Sequence, residues 1–596
     1  MTQLIDEPVT VKITRMKQVD NLDGPDTFLF TNEADFESRV TVDGKAFSGK
    51  KFEGKDDLNP GTEWTFTNTS SQRFVPIAIK ILENDDPASA TTVDINPDSG
   101  KKDLNLNLDR LTGQIFNSDT GLFLGNVNQT IVRRGAGDGD RGEISFVING
   151  VAGPEPENSV FALNPSTNNN RLGDKLFSGN NPTVTGDFNK DGKTDLVVSS
   201  GIDGVARAVF GSSNGLNTNA PTKLNLSNLR GGLATGDING DGMDDLVLGG
   251  EQTVIRFGTT ANPLTGQSTI LKTPSFPNST NSRFGSAVTA GDFNGDGEDD
   301  VVVGDGFAAA SGQSGSGAIQ VNYGSSSGFT TNPQVFHRDT PGILGLTNPN
   351  ANFGDALAAG DINGDGFEDL VVGAPGAPDV AAGAGVFHVI YGSASGLTAT
   401  NSQLIGQSFS GQSDKTGDLF GAAVAVADVN GDRVADVLVG APGKNNDAGQ
   451  IYVYHGRRNQ PLSNVASRIV SQPDIFSGSA EAGDKFGATI DAKDINNDGF
   501  ADVLIGAPGE DNSAGMVTAV FGTSTGLSNS NFDVRILQQE FNGIAGTREA
   551  GDRFGTGIAI GNFNGSGQLE AAISAPAEGF GNITNAGIVN IISNIR

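Results

Sequence analysis

The chain has no cysteine among its 596 residues, a single tryptophan (Trp64), three histidines and four tyrosines. Without cysteine there is no disulfide framework, no thiol nucleophile and no cysteine-ligated zinc. His337, His388 and His455 lie apart, and neither a Ser-His-Asp grouping nor an HExxH zinc motif occurs. Positive charge is scarce, with 39 Lys and Arg against 70 Asp and Glu and a net charge of −31. That balance excludes the clustered basic surface that nucleic acid or an anionic membrane requires. No apolar run approaches the roughly 20 residues of a membrane span. The opening stretch from Met1 to Pro8 has neither the basic nor the apolar region of a secretory leader.

What the chain has in abundance is glycine, 84 residues, and a repeated acidic loop that runs straight into an apolar strand. Copies begin at Asp187, Asp237, Asp292, Asp361, Asp428 and Asp494, with a worn copy at Asn562, so successive starts lie 50, 55, 69, 67, 66 and 68 residues apart. Self-similarity at such a period indicates a propeller or solenoid. Four short strands fit one period: Ala287–Ala290 into the loop, Val301–Val303 out of it, a third such as 386–391, and a weaker fourth near 402–405.

Within a loop, oxygen-bearing side chains stand at positions 1, 3, 5 and 9: Asp361, Asn363, Asp365 and Asp369 in the clearest copy. Alternate residues of a tight turn can point inward together, and a hard cation such as Ca²⁺ takes about 6–8 oxygens from carboxylates, amides, backbone carbonyls and water. The other sets are Asp187, Asn189, Asp191 and Asp195; Asp237, Asn239, Asp241 and Asp245; Asp292, Asn294, Asp296 and Asp300; Asp428, Asn430, Asp432 and Asp436; and Asp494, Asn496, Asp498 and Asp502. The backbone carbonyls at position 7 (Lys193, Met243, Glu298, Phe367, Val434 and Phe500) are expected to complete each set. Glycine at position 6, such as Gly366, permits the bend, and Arg433 replaces it once. Six bound Ca²⁺ would bring the net charge from −31 to about −19. The seventh loop, 562–570, has Asn562 and Ser566 in place of two carboxylates and is expected to stay empty.

An EF-hand opens with the same letters but needs a glutamate at position 12 and flanking helices. Position 12 here is Val198, Leu248, Val303, Val372, Val439, Ile505 or Ile573, each inside a strand-like run. The EF-hand is rejected.

The repeat resembles the FG-GAP repeat of integrin α-subunit propellers and their bacterial relatives. The Phe-Gly half stands at Phe284-Gly285, Phe353-Gly354, Phe420-Gly421, Phe486-Gly487 and Phe554-Gly555, and the Gly-Ala-Pro half at Gly373, Gly440 and Gly506, with Ser574-Ala575-Pro576 in the last copy. The first two copies have lost both tags. The resemblance implies an all-β chain in which a seven-bladed β-propeller occupies residues 151–596. The last repeat runs out after a third strand, so residues 159–163 are expected to supply the closing one.

Residues 1–150 hold no copy of the repeat. Alternating stretches at 9–13, 75–81, 104–108 and 144–148 predict an antiparallel β-sandwich ahead of the propeller. The order of Asp20 and Asp26, then 59–64, then Glu83 and Asp85 resembles a C2 domain. That resemblance implies a further Ca²⁺ site on Asp20, Asp26, Glu83 and Asp85; a plain acidic sandwich is the alternative.

The expected function is a calcium-stabilised module that binds a protein or glycan on the propeller face, with no nucleic acid partner. Millimolar calcium is found outside cells, which points to an extracellular or cell-surface location reached without a recognisable N-terminal signal. The alternatives are a lectin and a glycan- or lipid-active enzyme. Against a lectin, tryptophan is absent from the repeats and tyrosine occurs only at 323, 391, 452 and 454. Against an enzyme, no catalytic motif stands out, and His388 and His455 fall at third-strand positions, where packing is the expected role.

Overall fold

The computed structural model describes the strands between residues 7 and 161, and residues 182–595 apart from short intervals of which 272–282 is the longest. The described residues are all-β, with two compact units dividing near residue 155.

In the first unit, the strand Glu7–Gln18 pairs with Gly142–Asn149 on one side and with Asp57–Leu58 and Thr65–Ser70 on the other. A second sheet centres on Phe74–Glu83, flanked by Phe36–Val42 and Leu104–Asp109. Alternate residues are buried in both: Val11 and Ile13, Phe146 and Ile148, Val40 and Val42, Ile77 and Ile79. Each sheet therefore buries one face, as a period of two dictates. Asp20, Asp26 and Asp85 lie outside the described residues, and Glu83 ends the strand Phe74–Glu83.

The second unit contains seven four-stranded antiparallel sheets. Numbered in chain order, sheet 4 is typical: Ala356–Gly360, Asp369–Ala374, Val386–Tyr391 and Thr398–Ile405. The second strand of every sheet is buried along its whole length. That accounts for the unbroken Leu/Val/Ile runs after each acidic loop, since a strand covered on both faces has no reason to alternate. The first strands pack side by side, Thr183–Gly186 against Leu229–Gly236 and so on to Ile558–Gly561, which returns to Thr183–Gly186. Small residues on these strands (Ala-Leu-Ala-Ala-Gly in sheet 4, Ala-Val-Ala-Val-Ala in sheet 5) let them approach closely, and six of the seven line a cavity of 290 Å³. Sheet 7 takes its outer strand from Ser159–Phe161, which pairs antiparallel with Val589–Ile591.

The two glycine tags meet between sheets. A Cβ on Gly373 would lie 2.1 Å from the carbonyl oxygen of Gly421 in the next sheet, and one on Gly440 the same distance from that of Gly487. Within a sheet, the Gly421 N–H donates to the Gly440 carbonyl at 2.9 Å. The Gly-Ala-Pro glycine is thus required by backbone contact with the next Phe-Gly, and the phenylalanine itself (Phe353, Phe420, Phe486, Phe554) is fully buried between sheets.

Candidate metal centre

Each acidic loop joins the first strand of a sheet to the second, so all seven lie at the same end of their sheets. Their shape follows from side chains folding back on their own backbone. In loop 1 the Asp191 N–H lies 3.1 Å from Asp187 Oδ1 and 2.9 Å from Asn189 Oδ1, while the Gly192 N–H donates to Asp187 Oδ2 at 2.9 Å and that of Lys193 to Asp191 Oδ1 at 2.9 Å. Loops 2, 3 and 5 repeat all four bonds. The oxygens at positions 1 and 3 therefore converge on a single N–H, and position 5 lies in the same turn. Position 6 has positive φ throughout, including Arg433 at +66°. Position 4 is also left-handed, and in loops 1 and 6 it is not glycine: Lys190 has φ +58° and Asn497 +57°.

Position 9 ties each loop to the strands around it. Asp369 is fully buried; its Oδ2 accepts the Ile362 N–H at 3.1 Å, and its Oδ1 that of Gly392, beyond the third strand, at 2.9 Å. Asp195, Asp245, Asp300, Asp436 and Asp502 make the same two bonds. In Asp195, Asp245 and Asp369 each carboxylate oxygen retains a further acceptor site. Burial pushes all six carboxyls up to about 7, and the carboxylates at positions 1 and 5 add repulsion.

Positions 3 and 9 touch. The Asn496 Nδ2 donates to Asp502 Oδ2 at 3.0 Å, and Asn294 and Asn430 approach Asp300 and Asp436 at 3.4 and 3.3 Å. With its nitrogen so engaged, Asn496 turns Oδ1 the other way, where it is buried and accepts nothing; Asn363 Oδ1 is likewise buried and unpartnered. Among the described residues no three carboxylate or imidazole side chains form a metal cage by themselves. The loops instead gather carboxylates, an amide oxygen and backbone, an all-oxygen set that suits a hard cation of the Ca²⁺ class. The orphaned Asn363 and Asn496 oxygens fit such an ion, because a buried acceptor without a partner is costly.

The loops are also linked in sequence. The position-8 N–H donates to the position-1 carbonyl of the preceding loop, as from Asp244 to Asp187, Asp299 to Asp237, Glu368 to Asp292, Ala435 to Asp361 and Ala501 to Asp428. Thr194 closes the series onto Asn562. Where position 8 is acidic, its side chain returns the bond: Asp244 Oδ2 accepts the Asp187 N–H at 2.7 Å and Asp299 Oδ2 that of Asp237 at 2.8 Å. Position-7 side chains cover the preceding loop, Phe367 over Gly295 and Phe500 over Gly431. Loop 1 differs in bringing two ammonium groups, Lys190 Nζ at 2.9 Å from the Asp241 carbonyl and Lys193 Nζ at 3.4 Å from Asp191 Oδ2. The seventh loop keeps the turn with weaker acceptors, the Gly567 N–H lying 3.3 Å from Asn562 Oδ1. Glu570 takes the position-9 bond to Phe563 but reaches Ser593 where the others reach glycine.

The histidines gather with no nucleophile. His388 is fully buried, edge-on to Phe353 with ring centroids 5.0 Å apart, and His337 Nδ1 accepts the Asp339 N–H. No helix among the described residues is long and apolar enough to cross a membrane.

The FG-GAP repeat family matches residues 284–321, 353–390, 420–454 and 486–520, and an FG-GAP-like repeat matches 187–248. Bovine (Bos taurus) phosphatidylinositol-glycan-specific phospholipase D is 33% identical over 198 residues, covering 32% of this chain and 23% of that protein. Integrin alpha-8 of Gallus gallus is 32% identical over 33% of the chain and 17% of its own length, and integrin alpha-4 of Xenopus laevis 34% identical over 27% and 15%. The matches thus span less than a quarter of each relative.

Proposed function

From the FG-GAP repeats that this chain carries, we propose that its seven sheets are the blades of a closed β-propeller, preceded by a β-sandwich and serving as a ligand-binding module outside the cell or on its surface. Ca²⁺ would be held in six loops by the side chains at positions 1, 3, 5 and 9 with the position-7 carbonyls. Its part is structural: it would neutralise carboxylates that otherwise repel and fix each loop against the next. The chain itself is read as a binding protein and not an enzyme.

One observation carries the binding reading. Leu344, Leu346, Phe409 and Leu419 are exposed, at 38–73%, in loops that join one blade to the next. Antiparallel order puts these joining loops at the opposite end of the blades from the acidic loops. Large apolar side chains exposed together on one end mark an interaction surface. A protein, or the apolar face of a glycan, fits that surface. Stacking of the lectin kind has less support. A polar groove of 690 Å³ runs beside loop 4, but its one aromatic, Tyr391, is buried with its hydroxyl bonded to Gln403 and Leu462.

The test is binding of labelled protein to the producing cells and to their extracted surface polysaccharide, in calcium and in chelator. Calcium-dependent binding that Leu346→Asp with Phe409→Asp abolishes supports the reading. Binding that ignores both changes refutes it.

A further inference from the structure

At the junctions of blades 4 to 7, three places meet: the segment just after a fourth strand, an aspartate two residues before the next Phe-Gly, and the loop between the next blade's second and third strands; between blades 3 and 4, where Ala351 stands for the aspartate, the first and third meet. In blades 3 and 4 the partners are Arg338 and Asp379, the guanidinium Nη2 lying 2.7 Å from Asp379 Oδ1 with Arg338 only 2% exposed. In blades 4 and 5 they are Gln407, Asp418 and Lys444. Lys444 Nζ sits 2.9 Å from Asp418 Oδ2, Gln407 Nε2 3.2 Å from the same oxygen, and the Tyr452 hydroxyl 3.0 Å from Gln407 Oε1. At both junctions a carboxylate, that of Asp418 buried, is answered by a cation of the protein.

The next two junctions break this rule. Gln472, Asp484 and Glu510 occupy the same places between blades 5 and 6, and Gln539, Asp552 and Glu578 between blades 6 and 7. Lysine has become glutamate twice, which sets a glutamate carboxyl beside each aspartate. Gln539 Nε2 donates to Glu578 Oε2 at 2.8 Å and Gln472 Nε2 to Glu510 Oε2 at 2.5 Å, so each amide head lies at its carboxyl pair. Gln472 and Gln539 are each 1% exposed, and the Oε1 of each accepts nothing. The place of Tyr452 is taken in register by the smaller Thr518 and Asn590, both buried with unpartnered side-chain oxygens.

Two carboxyl groups set side by side, beside orphaned neutral oxygens and with a bulky phenol removed, lack the ammonium that Lys444 brings to Asp418 and a partner for those oxygens. Burying like charges without compensation is strongly unfavourable. An all-oxygen pocket of two carboxylates and neutral acceptors is the coordination set of a hard divalent cation. We propose that each of these two junctions binds one Ca²⁺-class ion, between Asp484 and Glu510 and between Asp552 and Glu578, with each glutamine amide turned over so that its orphaned Oε1 becomes a further ligand. These sites lie at the opposite end of the blades from the acidic loops and do not depend on them. The junction of blades 6 and 7 is the tighter one. The charges that act most on Glu578, those of Asp552 and Glu549, are both negative, whereas Glu510 also feels Arg548, itself paired with Asp511.

The test counts ions. Full-length protein is equilibrated with trace Ca²⁺, and bound calcium per chain is measured by atomic spectrometry. The wild type is compared with Glu510→Lys plus Glu578→Lys, which restores the ammonium present at Lys444. The double variant is expected to bind two ions fewer and to melt higher than the wild type in chelator. Glu510→Gln with Glu578→Gln keeps oxygen at both places and covers the case in which the lysines prevent folding. It is expected to weaken two sites by about tenfold, through lost ligand charge. An unchanged ion count in whichever pair folds overturns the proposal and leaves the carboxyls sharing a proton instead. Asp361→Ala, run alongside, loses an ion only if the acidic loops bind calcium, so the two readings fail separately.

Discussion

The Thr194 N–H donates to the Asn562 carbonyl at 2.9 Å, and the Asn562 N–H returns a bond to Thr194 Oγ1 at 3.0 Å, across 368 residues of sequence. This reciprocal pair joins the first acidic loop to the last, in the pattern that links loops 1 to 6. Thr194→Val keeps the shape of the side chain but leaves the part-buried Asn562 N–H without its acceptor. The loss is expected to be about 1 kcal/mol. Calorimetry should show the unfolding transition lowered with no change in the far-ultraviolet spectrum.

The double duty of position 9 separates two kinds of loop mutant. Asp369→Asn replaces an acceptor of two backbone bonds with a group that offers an N–H to one of them, at a cost of about 1–3 kcal/mol in chelator, to which the loss of a ligand is added in calcium. Asp365→Asn changes an exposed residue whose one backbone bond, to Phe367, an amide oxygen also accepts. It should be nearly silent in chelator and lose only the calcium increment, about 2.7 kcal/mol for one site at 100 times its dissociation constant. Paired melting curves in the two buffers read the difference. Equal losses for both variants in chelator would show that position 9 is no staple.

Positions 1, 3 and 5 of the loops were legible in the sequence because their bonds run to residues only two to five places away, and alternate Asp and Asn carry that pattern openly. Position 8 was not legible. Asp244 and Asp299 act on loops 57 and 62 residues earlier, and nothing local marks them. The glycine after the third strand, such as Gly392, is invisible for the same reason, since its partner Asp369 lies 23 residues back. The strand run of each repeat was readable because the second strand is covered on both faces and therefore uniformly apolar. The junction groups escaped notice because Gln472, Asp484 and Glu510 come from three separate segments, each of which reads alone as an ordinary polar loop.

Arg433 occupies a left-handed turn position, φ +66°, that the other loops give to glycine. An L side chain there costs roughly 1–2 kcal/mol, partly offset by the entropy that glycine loses on folding. Arg433→Gly is expected to stabilise the protein by about 0.5–1 kcal/mol, although it removes a side chain and adds none. The reverse change at the matching place, Gly366→Ala, meets no neighbouring atom within 4 Å and should still destabilise, because φ there is +92°. Melting temperatures of both variants in saturating calcium decide it; a rise for Gly366→Ala would contradict the strain argument.

Asp491 lines the cavity within the ring of first strands, accepting the N–H groups of Ala492 and Ile560, with Lys493 nearby. Burial raises its carboxyl above the usual range of 3.8, and Lys493 only partly opposes this. A folded-state value above the unfolded one means that the folded chain holds the proton longer. The associated stability is fully present below pH 3.8 and is lost as the pH rises through the folded value. Asp491→Asn removes that titration but keeps only one of the two acceptors, since Oδ1 takes the Ala492 N–H and Oδ2 that of Ile560. Wild type and variant are therefore expected to diverge on going from acid to neutral pH in chelator, the variant gaining on the wild type as the pH rises. Denaturant unfolding across that range measures the difference, and parallel curves would mean that Asp491 is ionised in the fold as freely as in the unfolded chain.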